Sequence, residues 1–133
     1  MRVLVTGATG KVGNAVARRL TDRGDEVVAL VRDVARAREA LPKGVELVRG
    51  DVTELRSVRE AVSGVEGVFN CMGIYEQWVP DRAVFERVNA IGALNVIAAA
   101  RQAGARRARR GRRRRSRCAP HGGRRPGARR RSR

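Results

Sequence analysis

Three glycines spaced through Thr6-Gly7-Ala8-Thr9-Gly10-Lys11-Val12-Gly13 constrain this chain more than any other feature, because they stand where a strand gives way to a helix. Before them, Arg2-Val3-Leu4-Val5-Thr6 is a short apolar, β-branched run, as expected of a strand buried on both faces of a parallel sheet. After them the period changes. Val12, Ala15, Val16 and Leu20 fall at i, i+3, i+4 and i+8 and draw one apolar stripe on a helix ending near Gly24. In such a turn Gly7 lets the chain leave the strand sharply, Gly10 removes a Cβ that would obstruct a pyrophosphate, and Gly13 lets the helix pack close to the sheet. The free amides opening the helix favour negative charge.

The alternation continues. Val27-Val28-Ala29-Leu30-Val31 reads as a second strand, an Ala- and Arg-rich helix follows through Leu41 to a stop at Pro42, and Glu46-Leu47-Val48-Arg49 reads as a third strand. A helix from Leu55 to Val62 and a strand Gly67-Val68-Phe69-Asn70 complete four βα steps. A long helix is predicted from Ala83 to about Ala103, with Val84, Phe85, Val88, Ile91, Leu94, Val96 and Ile97 as its apolar side. The expected fold is α/β: a partial Rossmann sheet of about four parallel strands in spatial order 3-2-1-4 with flanking helices, followed by a disordered tail. A fifth strand is due after Gly104, but arginines follow instead, which predicts that the fourth strand is left as an exposed edge.

Charge marks the same boundary. Residues 1–100 carry 14 basic and 13 acidic residues, a balance of +1, whereas residues 101–133 carry 16 arginines and no acid. The chain therefore divides into a nucleotide-binding half-domain over residues 1–104 and an Arg-rich tail over residues 105–133. Two readings of the tail stand. As a nucleic-acid-binding arm it would bind phosphates tightly, with strong salt dependence and no sequence preference, although no aromatic residue is interleaved for base stacking. Alternatively the tail is a frameshift product, since Arg, Gly, Ala and Pro are the residues of GC-rich codons and the change falls where a strand is due. If Arg106-Arg107-Ala108-Arg109 is encoded CGT CGT GCN CGT, a one-base shift yields Val-Val-x and the start of another valine codon, an apolar strand.

Cys71 and Cys118 stand far apart without C-x-x-C spacing, so neither a disulfide framework nor a metal site is expected. His121 is expected to be a solvated tail residue. No uninterrupted apolar run approaches the roughly 20 residues of a membrane span, and Val3-Leu4-Val5 is too short for a signal peptide, so a cytoplasmic location without membrane contact is expected.

The motif T-G-A-T-G-K-V-G at Thr6–Gly13 resembles the T-G-x-x-G-x-x-G signature of the short-chain dehydrogenase/reductase superfamily, in its extended or atypical branches. Further matches follow in order. Gly50-Asp51-Val52 resembles the family's G-D-[VL], and Val68-Phe69-Asn70-Cys71-Met72-Gly73 takes the place of V-F-H-x-A-A, with Met72 where a small residue is usual. Val88-Asn89-Ala90-Ile91-Gly92-Ala93-Leu94-Asn95-Val96 resembles V-N-x-x-G-T-x-N-[VL]. Together with Gly73-Ile74-Tyr75-Glu76-Gln77-Trp78, these segments are most similar to dihydroflavonol-reductase-like and NAD-dependent epimerase/dehydratase members, over about three-quarters of the chain.

The resemblance implies an NAD(P) cofactor held by Gly7, Thr9, Gly10, Lys11, Val12 and Gly13 around the pyrophosphate. It implies Asp51 and Val52 at the adenine, the backbone of Cys71, Met72 and Gly73 beneath the cofactor, and Asn89 ordering the site. Members that use NAD tend to place an acid at the end of the second strand; here Val31 occupies that place and Arg32 follows, able to pair with a 2′-phosphate. NADP is therefore favoured over NAD, the alternative being that Arg32 is a solvated loop residue and Asp33 binds the ribose. Catalysis does not carry over. The family's Tyr-x-x-x-Lys pair has no counterpart, because Tyr75 is the only tyrosine, Val79 stands four residues on, and the only lysines are Lys11 and Lys43. Ser116 and Ser132 lie in the tail, and Tyr75 and Trp78 are better read as pocket or packing residues. No residue is assigned as a catalyst, and the 133 residues are expected to be a truncated member of an oxidoreductase or epimerase family that binds a dinucleotide weakly and turns nothing over, the alternative being a nucleotide-sensing module without chemistry.

Overall fold

The computed structural model describes residues 1–74, 81–105 and 107–110. Tyr75, Trp78, Ser116, Cys118, His121, Ser132 and the arginine run beyond residue 110 lie outside the described residues. The chain runs β1 (Arg2–Thr6), α1 (Lys11–Asp22), β2 (Glu26–Val31), α2 (Val34–Ala40), β3 (Glu46–Arg49), α3 (Leu55–Ala61) and β4 (Gly67–Asn70). A long helix follows in three parts, α4 (Arg82–Glu86), a π-helical turn (Arg87–Ile91) and α5 (Gly92–Gln102), and then β5 (Arg107–Arg110).

All strand pairings are parallel, in the order β3-β2-β1-β4-β5. The Rossmann-type sheet and its 3-2-1-4 order are as the sequence implies. The exposed edge on β4 is not: β5 pairs with it, Gly67 opposite Arg107 and Asn70 opposite Arg110. The cause is local. Gly104 at φ +71° ends α5, its N–H bonds to the Arg101 carbonyl at 3.2 Å, and the Ala105 N–H reaches the Ala100 carbonyl at 3.0 Å, a C-cap that turns the chain back toward the sheet. Strand pairing is a backbone interaction, so it does not demand the apolar side chains on which the sequence reading relied.

Alternation along the strands splits the core into two layers. Val3, Val5, Val27, Ala29 and Val31 face α1 and α2, where Ala17, Leu20 and Ala37 meet them. Leu4, Val28, Leu30 and Val68 face α3 and α5, where Val58, Ala61, Val96, Ala99 and Ala100 meet them. The stripe on α1 is offset from its predicted position: Gly13, Ala17 and Leu20 are its buried residues, while Ala15 is exposed and Val12 is 40% exposed. Gly13 opens this face because the helix start lies against the Gly7-Ala8 backbone, where a Cβ would come within 2.1 Å of the Gly7 oxygen.

The long helix also departs from its predicted face. Only Gly92, Val96, Ala99 and Ala100 are buried, whereas Val84, Ile91, Leu94 and Ile97 are exposed. A π-helical turn inserts one extra residue into the winding, so an apolar stripe read at 3.6 residues per turn goes out of phase across it. Joined end to end, Arg82–Gln102 is a 21-residue helix whose most apolar 18-residue window has mean hydropathy 1.3, long and apolar enough by length and composition alone to cross a bilayer, a test that the core helix of a soluble protein also passes. Within the fold the same helix lays its small residues on α3 and β4.

Candidate functional site

The C-terminal ends of β1, β2, β3 and β4 meet along one edge of the sheet, and every loop carrying a predicted site residue leaves from there. At its centre, Gly7 has φ +65°, a conformation open to glycine, and a Cβ on it would lie 2.9 Å from the Cys71 carbonyl oxygen and from the Met72 nitrogen and Cα. The turn after β1 and the loop after β4 are thus in backbone contact. A Cβ on Gly13 would lie 2.1 Å from the Gly7 carbonyl oxygen, which makes this the tightest approach of helix to turn. Gly10 is different, since its Cβ would meet only the Gly7 oxygen at 3.4 Å and otherwise open space. That opening is a cradle above the helix start. Gly10 is the N-cap of α1 and no side chain caps the helix, so the amides of its first turn lack intrahelical acceptors and face that space. Lys11, Thr9 and Val12 are exposed around it.

Two polar contacts fasten the β4 side. The Thr6 hydroxyl, wholly buried, donates to Asn70 Oδ1 at 2.6 Å, and the Met72 N–H approaches the same oxygen at 3.4 Å. The Cys71 N–H donates to the Thr6 carbonyl at 3.2 Å. Met72 packs against the buried cluster containing Val52, Val68 and Val96. Burial pushes the Cys71 thiol up from its ordinary range. Asn89 lies in the π-helical turn and holds Ile74 by both backbone groups: the Ile74 N–H donates to Asn89 Oδ1 at 3.0 Å, and Asn89 Nδ2 donates to the Ile74 carbonyl at 2.9 Å.

On the β3 side, Asp51 Oδ1 accepts from both the N–H and the hydroxyl of Thr53 at 2.9 Å, closing the turn before α3. Val52 is buried against Gly92, where a Cβ would come within 2.8 Å of Val52 Cγ2, and its carbonyl accepts from Asn95 Nδ2 at 2.9 Å. At the end of β2, Arg32 is exposed, and Asp33 caps α2 by accepting the Arg36 N–H at 3.0 Å.

The structure therefore brings Gly7, Thr9, Gly10, Lys11, Val12 and Gly13 together with Cys71, Met72 and Gly73, and sets Arg32 and Asp51-Val52 at the ends of the neighbouring strands. Thr6, Asn70 and Asn95 were missed by the sequence reading. Asn95 had a visible signal as the second asparagine of its motif, whereas the Thr6 to Asn70 bridge links residues 64 apart and no local pattern announces it. No cluster of three metal-ligating side chains exists among the described residues.

A family model described as NAD(P)H-binding matches residues 7–108. A 2-alkyl-3-oxoalkanoate reductase of Stenotrophomonas maltophilia is 38% identical over 104 residues, which is 78% of this chain and 31% of the reductase. A short-chain dehydrogenase/reductase superfamily protein of Agrobacterium tumefaciens, solved with bound NAD, superposes with a TM-score of 0.70 at 30% identity, over 83% of this chain and 32% of that one. The UDP-glucose 4-epimerase of Thermus thermophilus, solved with NAD, superposes with a TM-score of 0.69 at 32% identity, over 81% of this chain and 36% of the epimerase. The chain spans about a third of the length of the curated relatives it matches.

Proposed function

Because the chain belongs to the NAD(P)H-binding family within the short-chain dehydrogenase/reductase superfamily, we propose that residues 1–104 hold the dinucleotide across the C-terminal ends of β3, β2, β1 and β4. The observation that carries this reading is the contrast between two glycines: Gly13 is closed against backbone at 2.1 Å, while Gly10 opens on free space beside the uncapped amides of α1. That cradle suits a pyrophosphate, which the first-turn amides would bind with Thr9 and Lys11 at its rim. Asp51 and the Val52 amide take the adenine, the backbone of Cys71, Met72 and Gly73 lies under the cofactor, and Asn89 fixes that loop through Ile74. The dinucleotide would supply hydride exchange when bound; what these residues do is hold and orient it.

NADP is the favoured form. Arg32 supplies a guanidinium at the ribose end, and Asp33 is drawn to the cap of α2, which weakens its claim on the ribose hydroxyls. By themselves the 133 residues carry no Tyr-x-x-x-Lys pair, so they bind without turnover, and oxidoreductase or epimerase chemistry requires a tyrosine and lysine that they do not contain. Among the described residues Cys71 forms no disulfide, which goes with a reducing, cytoplasmic setting. Residues 105–133 form a separate segment read in a shifted frame: β5 pairs into a parallel sheet yet is spelled Arg-Ala-Arg-Arg, where an apolar run is usual. The second reading of that segment, nucleic-acid binding, rests on its fifteen arginines.

The test is a fluorescence titration of the protein with NADPH and NADH beside a Gly10→Ala variant. Saturable binding that Gly10→Ala abolishes supports the reading; binding by neither cofactor, or equal binding by the variant, contradicts it.

A further inference from the structure

Register fastens the ends of β2 and β3 together. Val31 stands opposite Arg49, and the Gly50 N–H donates to the Val31 carbonyl at 2.9 Å, so Arg32 and Arg49 leave adjacent strand ends. Between them opens a cavity of about 420 Å³ lined by Arg32, Asp33, Val34 and Arg49. Both arginines are exposed, and among the described residues neither makes an ion pair or a side-chain hydrogen bond, unlike Arg2, Arg23, Arg56 and Arg82, which pair with carboxylates. The one acid in the cavity, Asp33, already accepts a backbone N–H from Arg36. Two guanidinium forks from different strands, with the only carboxylate engaged elsewhere, make a pocket whose chemistry asks for a compact dianion.

We propose that Arg49 is a binding residue, the second jaw of a clamp with Arg32, and that the clamp takes the 2′-phosphate of a phosphorylated adenosine. The proposal rests on the dinucleotide reading for its ligand and adds a residue from β3 that sets the preference for NADP. A phosphate monoester carries close to two negative charges at neutral pH and three acceptor oxygens, enough for a fork from each arginine. With one arginine alone the phosphate would be held on one side and open to water on the other.

The experiment uses the whole 133-residue protein with 2′,5′-ADP, 5′-AMP and inorganic phosphate as probes, measured by calorimetric titration for the unaltered protein, Arg49→Gln, Arg49→Lys and Arg32→Gln. Arg49→Gln should weaken 2′,5′-ADP about tenfold, equal to about 1.4 kcal/mol, and leave 5′-AMP within about twofold. Arg49→Lys, which keeps the charge and loses the fork, should fall between, and Arg32→Gln should match Arg49→Gln. Both arginines are exposed, so folding is expected to survive each change, and thermal unfolding of each variant checks it.

Equal losses for 2′,5′-ADP and 5′-AMP, or no loss for either, would overturn the clamp. So would inorganic phosphate displacing 2′,5′-ADP at equal concentration, which would mark a plain anion site. The parent reading fails separately: a protein that binds neither NADH nor NADPH but loses 2′,5′-ADP on Arg49→Gln keeps the clamp and loses the dinucleotide. A protein that binds NADH and NADPH equally keeps the dinucleotide and loses the clamp.

Discussion

Replacing Gly13 with alanine separates the packing role of the glycine turn from its binding role. The new methyl would sit 2.1 Å from the Gly7 oxygen, 2.6 Å from the Gly7 carbonyl carbon and 2.8 Å from Ala8 Cα. All three are backbone atoms, and Gly7 is itself held against Cys71 and Met72, so no rotamer change relieves the overlap. Reaching an ordinary 3.4 Å contact requires α1 to withdraw by about 1.3 Å from a close-packed interface. Overpacking of this kind costs about 3 kcal/mol at the upper end of its usual range. The better helix propensity of alanine returns about 1 kcal/mol, for a net loss of about 2 kcal/mol. In a domain of this size that lowers the melting temperature by about 8–16 °C. Gly10→Ala is the counterpart, because its methyl meets only one atom at 3.4 Å, and its cost at the N-cap is no more than about 1 kcal/mol. Thermal unfolding by circular dichroism and NADPH fluorescence titration, run on both variants, read the two effects. Gly13→Ala melting with the unaltered protein, or Gly10→Ala binding NADPH normally, would refute the reasoning.

Other outcomes follow from single contacts. Thr6→Val removes the buried hydroxyl that bonds to Asn70 and should cost about 1–2 kcal/mol in urea unfolding, with Thr6→Ser restoring most of it. Cys71, its thiol pushed up by burial, should resist iodoacetamide at neutral pH and react appreciably only above the ordinary thiol range, followed at its own peptide by mass spectrometry so that Cys118 does not confuse the signal. The Arg23 guanidinium bonded to Asp25 holds that carboxyl below the usual carboxylate range. Its contribution is present above the unfolded pKa of about 3.9 and lost as pH falls through the lower folded value, so Asp25→Asn should flatten the acid limb of the stability profile. Nucleic-acid binding by the tail, if present, should weaken steeply with salt and vanish on deleting residues 105–133 in a gel-shift assay. Sequencing the gene across codons 100–133 tests the shifted frame: a neighbouring frame opening into apolar strands and Tyr-x-x-x-Lys supports it, and a neighbouring frame without them contradicts it.

Four strands, their order and the glycine turn were legible because each rests on a local pattern. Val3, Leu4 and Val5 are buried on both faces, and the spacing of Gly7, Gly10 and Gly13 states its own geometry. What stayed hidden depends on contacts between distant residues or on breaks in periodicity. The π-helical turn at Arg87–Ile91 has no compositional mark, so the face of the long helix was misplaced and Leu94 emerges 64% exposed. β5 escaped because it was sought as an apolar run, while the chain is turned into it by Gly104 and the carbonyls of α5. Arg49 was visible as a strand residue, but only the register with Val31 sets it beside Arg32. The adenine-side residues Asp51 and Val52 were legible from their motif, whereas the Asn95 bond that holds Val52 was not.

The central claim is that the edge formed by β1, β2, β3 and β4 binds a dinucleotide, and calorimetric titration of the unaltered 133-residue protein with NADPH tests it most directly. The account predicts one saturable site per chain, with NADH binding more weakly at the same site. Absence of a binding isotherm for both cofactors, from protein shown to be folded by circular dichroism, would contradict it.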